Sequence, residues 1–194
     1  MDIEGKKAIV FGGTSGIGLA TCQELQARGA DVVAVSRDPN KASTSISGVR
    51  LCAVDARDSN AVSSFFGKEG KIDILISSAT GGSRAFGPFL TMDIDGFKGS
   101  FDKLWGYSNV VRYGTANLSD EGCIVLVSGT PARKIKPGQV ALSAVGGAVE
   151  ALARAIAPEI APKRINVVAP GIVDTPMVAL TGEDRAAHYR EVTK

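Results

Sequence analysis

The sequence predicts an α/β fold, a doubly wound parallel sheet with helices on both faces, and three observations predict it. The apolar run Ala8-Ile9-Val10-Phe11 passes directly into Gly12-Gly13-Thr14-Ser15-Gly16-Ile17-Gly18, which opens a helical pattern, so a strand hands over to a helix through glycines. A second strand-like run at 31–35 follows that helix and completes a βαβ unit. The same alternation then continues down the chain to a sixth strand-like run at 164–168.

The glycine turn is a phosphate-binding position. Glycines take positive φ readily and let a pyrophosphate approach the backbone, while free N–H groups and the positive end of the helix dipole face the anion. The helix it opens carries Leu19, Cys22 and Leu25 at helical spacing and stops at Arg28-Gly29-Ala30. Strand two ends at Ser36-Arg37-Asp38, where a dinucleotide fold presents its ribose discriminator. A carboxylate at 36 would hold the 2′-hydroxyl of NAD and repel a 2′-phosphate. Ser36 and Arg37 instead offer that phosphate a hydroxyl and a guanidinium fork. NADP(H) is therefore favoured over NAD(H); the alternatives are an Arg37 that faces solvent, or an Asp38 that neutralises it or holds the ribose.

Residues 39–48 read as loop with a little helix, and 49–54 as a third strand. Asp55, with Ala56 after it, stands where an acceptor meets the adenine amino group. Alternatively Asp55 or Asp58 caps the helix carrying Ala61, Val62, Phe65 and Phe66, and for Asp58 the cap is preferred. A fourth strand at 72–76 runs into Ser77-Ser78-Ala79-Thr80-Gly81-Gly82, small residues that let the backbone approach a ligand. After a loop at 83–92, the apolar spacing predicts one long helix over 97–118, with Trp105 and Tyr107 as core or subunit-contact aromatics. Gly122 precedes a fifth strand at 123–127, which ends at Ser128-Gly129-Thr130. A loop with Pro131, Arg133, Lys134, Lys136 and Pro137 leads to a helix over about 140–160, whose Ala144, Gly146, Gly147 and Ala148 allow close packing. The sixth strand leads to Pro170-Gly171-Ile172-Val173-Asp174-Thr175-Pro176.

Composition narrows the function classes. With 194 residues, 44% hydrophobic content and a net charge of +2, the chain fits one domain, 1–194, with one sizeable core. Its basic residues form only isolated pairs, Lys6-Lys7 and Arg133-Lys134, so neither nucleic acid nor a membrane surface is implied as a partner. No leader-like apolar stretch and no run long enough to span a bilayer is read, so the expected location is cytoplasmic. Cys22, Cys52 and Cys123 are odd in number and lack ligand spacing, so they are expected to be free thiols, with no disulfide and no metal.

On these residues the chain resembles the short-chain dehydrogenase/reductase family over essentially its whole length. The family's glycine motif falls on Gly12, Gly16 and Gly18, its adenine-site aspartate on Asp55, and its nicotinamide-side segment on Arg164-Ile165-Asn166-Val167-Val168-Ala169-Pro170-Gly171 with Thr175. Its Asn-Asn-Ala-Gly string is reduced to Ser77-Ser78-Ala79-Thr80, and its threonine before the glycines is Phe11. The resemblance implies a Rossmann-type NADP(H) site of Gly12, Thr14, Ser15, Gly16, Ile17, Gly18, Ser36, Arg37, Asp55, Ala56, Ser78, Ala79, Thr80, Pro170, Gly171, Val173 and Thr175.

The same resemblance exposes a departure in the chemistry. The family's serine, tyrosine, lysine and asparagine fall on Gly129, Leu142, Gly146 and Lys103, at the family's own spacings. Leucine transfers no proton, and losing a positioned general acid costs about 10²–10⁴-fold in rate. Lys103 and Arg133 are the candidate replacements, Lys103 because its ammonium can stabilise an oxyanion from the helix holding the asparagine position. Ser128, Ser143 and Asp174 are expected to border the same crevice; Tyr113 reads as helix surface, and His188 lies in a terminal, lid-like segment. Against these roles, Lys103 can snorkel to solvent, Arg133 sits in a basic surface loop and Asp174 can cap the segment after it.

The expected function is an NADP(H)-binding oxidoreductase acting on a small organic substrate that needs little acid catalysis, such as an iminium. The alternatives are a cofactor-dependent isomerase or cyclase, and a non-catalytic NADP-binding regulator or oligomer partner. The resemblance implies a homodimer or homotetramer built on the helices containing Trp105 and Leu152. Thr181 with Asp184 reads as a helix start, and since the family continues through a further helix and strand, the native chain is expected to run past Lys194.

Overall fold

The apolar run ahead of the glycines is β1 (Lys7–Phe11), and it lies inside a six-stranded, all-parallel sheet of order β3-β2-β1-β4-β5-β6. The computed structural model describes residues 2–42, 47–80 and 83–193. The other strands are β2 (Asp31–Ser36), β3 (Arg50–Ala53), β4 (Ile72–Ser77), β5 (Leu118–Val127) and β6 (Arg164–Val168). The sequence expectation of an α/β, doubly wound sheet is met: strands alternate with α1 (Gly16–Ala27), α2 (Ser59–Phe66), α3 (Ile94–Ser100), α4 (Asp102–Gly114), α5 (Val140–Ile160) and α6 (Gly182–Val192).

Strand periodicity divides the core into two layers. Ile9, Phe11, Val33, Val35, Leu75, Ile124 and Leu126 point to one face, where Phe65 and Phe66 of α2, Tyr107 and Val110 of α4, and Val149 and Ala153 of α5 cover them. Ala8, Val10, Val32, Ala34, Ile74 and Ile76 point to the other, where Cys22 and Leu25 of α1 pack. Burial on both faces explains why β1 and β2 read as unbroken apolar runs rather than alternating ones. Burial also pushes the Cys22 thiol up to about 12.

The expected helix over 97–118 is corrected. It is two helices, α3 and α4, with Phe101 between them, and Leu118 instead opens β5 opposite Ile72. The chain leaves the helix because Gly114 is pressed against Leu75 and Phe66, while the Asn117 amide donates to the carbonyls of Phe66, Glu69 and Gly70 at the end of α2. β5 therefore starts ahead of Gly122, with a register irregularity between Ile72 and Ile74 before it runs regularly from Cys123. Tyr113 is half-buried against the core rather than on the helix surface. The loop after β2 holds a short 3-10 turn, Pro39–Lys41; residues 43–46 of that loop and Gly81-Gly82 after β4 lie outside the described residues.

A second correction concerns α5, which is long and apolar enough to cross a membrane by length and composition, whereas no such run was expected. It lies along the sheet with Ala141, Val145, Val149 and Ala153 buried. Glu150 is buried on the same helix, 8% exposed, and the Arg133 guanidinium holds its carboxylate through Nε at 3.1 and 3.2 Å.

Asp58 caps α2, its carboxylate accepting from the Asn60 and Ala61 N–H groups at 2.9 and 3.0 Å. Replacing it with alanine (Asp58→Ala) is expected to cost about 0.5–2 kcal/mol, read from the shift in denaturant midpoint at constant slope.

Candidate active site

In an open parallel sheet, ligands bind beyond the carboxyl ends of the strands where the order reverses, here between β1 and β4. A cleft of about 1220 Å³ opens there. The turn after β1 and the loop after β4 interlock, Ser78 donating to the Phe11 carbonyl from its N–H at 2.9 Å and its Oγ at 3.1 Å, while the Gly12 N–H ties the turn to β2 through the Val35 carbonyl at 2.8 Å. Two glycines permit this. Gly12 has φ +80°, and a Cβ on it would stand 2.7 Å from the Ala79 nitrogen; a Cβ on Gly18 would stand 2.1 Å from the Gly12 carbonyl oxygen and 2.4 Å from Ser78 Oγ. The first turn of α1 has neither a side-chain cap nor an acidic residue, so its N–H groups and the positive end of its dipole are available to an anion.

The far end of the cleft is built from the ends of β2 and β3. Ser36 Oγ is buried without a hydrogen-bond partner among the described residues, and exposed Arg37 follows it on the cleft wall. Asp55 is engaged by Arg57, which donates to it from Nη2 at 2.7 Å and from the backbone N–H at 3.0 Å, and the guanidinium beside it holds the carboxyl below the usual carboxylate range. Arg57 Nη1 also reaches Asp102 on α4 at 3.1 Å, so this arginine ties the β3 loop to α4. Asp38 accepts from the Asn40 N–H at 3.2 Å and so caps its own turn. A backbone cradle that any Cβ would fill, a bare helix N-terminus and an unpartnered hydroxyl beside an arginine together fit a phosphorylated dinucleotide.

Every residue expected at the cofactor site lines this one cleft: Gly12, Thr14, Ser15, Gly16, Ile17 and Gly18 from the turn, Ser36, Arg37, Asp55 and Ala56 from the β2 and β3 ends, Ser78, Ala79 and Thr80 after β4, and Pro170, Gly171, Val173 and Thr175 after β6. The β6 segment is tied in by Thr130, whose N–H and Oγ1 both donate to the Pro170 carbonyl at 2.9 and 2.8 Å.

Lys103, Gly129, Leu142 and Gly146 line the same cleft. Lys103 is partly buried, donates from Nζ to the Ser128 carbonyl at 3.2 Å and lies 5.4 Å from the centre of the Tyr107 ring. Burial, reinforced by the nearby Arg84 guanidinium, pushes its ammonium down to about 8. Tyr107 is fully buried, donates its hydroxyl to the Val127 carbonyl at 3.0 Å, and is driven by burial well above the ordinary phenol range. Ser128 also lines the cleft but donates its hydroxyl to the Gly146 carbonyl at 3.2 Å. A Cβ on Gly146 would stand 2.9 Å from Ala132 Cβ, so the turn after β5 closes over that position.

Arg133 is a correction. Its guanidinium is spent on Glu150, and it is absent from the cleft wall, as are Ser143 and Asp174; Asp174 pairs instead with Arg185. His188 does reach the cleft, together with Tyr189, from α6. Sequence reading missed Arg57 and Arg84. Arg57 was accessible from its spacing two residues after Asp55, whereas Arg84 lies in a loop whose residues carry no period.

Comparison with known proteins agrees with this geometry. The short chain dehydrogenase family model matches residues 6–186. L-xylulose reductase of Homo sapiens is 30% identical over 191 residues, covering 94% of this chain and 78% of that protein. Carbonyl reductase (NADPH) 2 of Sus scrofa is 32% identical over 186 residues, covering 91% and 75%. A solved small-chain dehydrogenase in complex with NADPH superposes with a TM-score of 0.83 at 28% identity, over 97% of this chain and 80% of that one. The chain therefore belongs to the short chain dehydrogenase family.

Proposed function

We propose that the protein is an NADP(H)-dependent oxidoreductase that reduces the carbonyl of a small organic molecule, with Lys103 rather than a tyrosine as the proton donor. The observation that carries this reading is the Lys103 ammonium, partly buried in the cleft that the glycine turn opens and lowered to about 8. When bound, NADPH supplies a hydride. The chain's own residues do the rest. The α1 N-terminus and the glycine turn would hold the pyrophosphate, Ser36 and Arg37 the 2′-phosphate, and the segment Pro170 to Thr175 would wall the nicotinamide side. Lys103 stabilises the developing oxyanion and gives it a proton from Nζ. Leu142 and Gly146 stand at the positions aligned with the family's tyrosine and lysine and have no proton to give.

The charge beside Lys103 refines the substrate. Arg84 and Lys103 share one electrostatic environment, so a cationic iminium, already positive, is repelled there and a neutral or anionic carbonyl compound is favoured. The names of the NADPH-linked relatives support the cofactor choice. Assembly as a homodimer or homotetramer through α4 and α5 belongs to the same reading, supported by Trp105, 63% exposed on α4.

The cofactor assignment is tested by fluorescence titration with NADPH and NADH. NADPH is expected to bind more tightly, and Arg37→Ala to weaken it by about tenfold or more while leaving NADH unchanged, since one charge-assisted contact is removed. Equal affinity for the two, unaltered by Arg37→Ala, contradicts it.

The role of Lys103 is tested by the pH dependence of reduction. A group lowered to about 8 is protonated below that pH and loses its proton above it. The rate is therefore expected to be level below pH 8 and to fall above it, and the reverse oxidation to rise there. Lys103→Met is expected to lose about 10²–10⁴-fold and the pH break with it. A break that persists in Lys103→Met assigns the proton to another group.

A further inference from the structure

We propose that the inner end of the cleft is a carboxylate-binding subsite, so that the substrate is a small carbonyl compound bearing a carboxylate, gripped by Arg84 while Lys103 faces the carbonyl oxygen. This rests on the oxidoreductase reading of the same cleft.

The distribution of charge carries the proposal. The acidic groups on the cleft wall are Asp38, Asp55 and Asp102. Arg57 holds Asp55 and Asp102, turning the carboxylate that immediately precedes Lys103 away from it, and Asp38 caps its own turn. The inner wall carries Arg84 and Lys103, with Lys134 and Lys136 exposed at the rim. Among the described residues no carboxylate pairs with any of these four. Arg84 is half-buried, and among the described residues its guanidinium meets only the Met177 thioether, a neutral and weak acceptor.

A cation drawn partly out of water gains from an opposite charge that reaches it. The cofactor would not supply it: the glycine turn would meet its pyrophosphate, and Ser36 and Arg37 its 2′-phosphate, at the other end of the cleft. An anionic group on the substrate would supply that counter-charge. Arg84 supplies the planar fork that matches a carboxylate. Lys103, lowered to about 8 and so still largely protonated at neutral pH, adds at most one further positive charge beside the guanidinium. Leu142 and Met177 complete the wall with apolar surface for the body of the molecule. The rim lysines would speed the approach of such an anion.

The test is calorimetric titration of the NADP⁺-saturated protein with acetate, pyruvate and phenylglyoxylate, each beside its uncharged methyl ester. At least one acid is expected to bind with a Kd below about 10 mM and about tenfold or more tighter than its ester. Arg84→Gln is expected to erase that preference while NADP⁺ affinity stays within twofold, and Arg84→Lys to restore part of it. With NADP⁺ binding intact, the proposal is overturned if acid and ester bind alike, if no acid binds, or if the preference survives Arg84→Gln. Failure of the wild-type protein to bind NADP⁺ removes the oxidoreductase reading itself, and the subsite with it.

Discussion

The structure depends on the close approach of two backbones at the point where the sheet reverses direction. The turn after β1 lies against the loop after β4 so tightly that Gly12 and Gly18 have no room for a Cβ beside Ala79, Ser78 and each other. That contact sets the floor of the cleft and presents the bare N-terminus of α1 to it. Residues from the ends of all six strands or the loops after them then reach the same space, because parallel strands all deliver their carboxyl ends to one edge.

Along that edge the charges are sorted. At the β3 end the carboxylates of Asp55 and Asp102 are paired with Arg57, and that chain links the sheet edge to α4. At the inner end, Arg84 and Lys103 face the cleft without such partners among the described residues, and burial lowers both. In the proposed mechanism the imbalance serves two purposes: it lowers a lysine into the range where it can give up a proton near neutral pH, and it selects against cationic substrates. The chemistry that the family places on a tyrosine is thereby assigned to a different helix, α4.

The sheet and its edge were legible because they rest on local signals. Period-two and unbroken apolar runs locate the strands, the glycine string marks the strand-to-helix turn, and the cap at Asp58 rests on a side chain two and three residues ahead of the N–H groups it serves. What was not legible depends on contacts distant in sequence. The break after Gly114 is imposed by Leu75 and Phe66 and by the Asn117 amide reaching the end of α2, none of which has a period to read. The place of Arg133 is hidden for the same reason: its partner, Glu150, lies on the buried face of α5, and a basic loop gives no sign of a buried carboxylate beneath it. Lys103 was legible only through its position against the family pattern, and what surrounds it, burial with Arg84 nearby and the Tyr107 ring, comes from a loop and from its own helix one turn on.

The claim that the proton donor has moved to α4 is tested most directly by titrating Lys103 itself, following its side-chain resonance by NMR in isotopically labelled protein with Lys103→Arg for assignment. A midpoint close to 8 is the expected result. A midpoint near 10.4, the value of a lysine in water, would contradict it, since a solvated ammonium has neither the burial nor the proton affinity that the role requires.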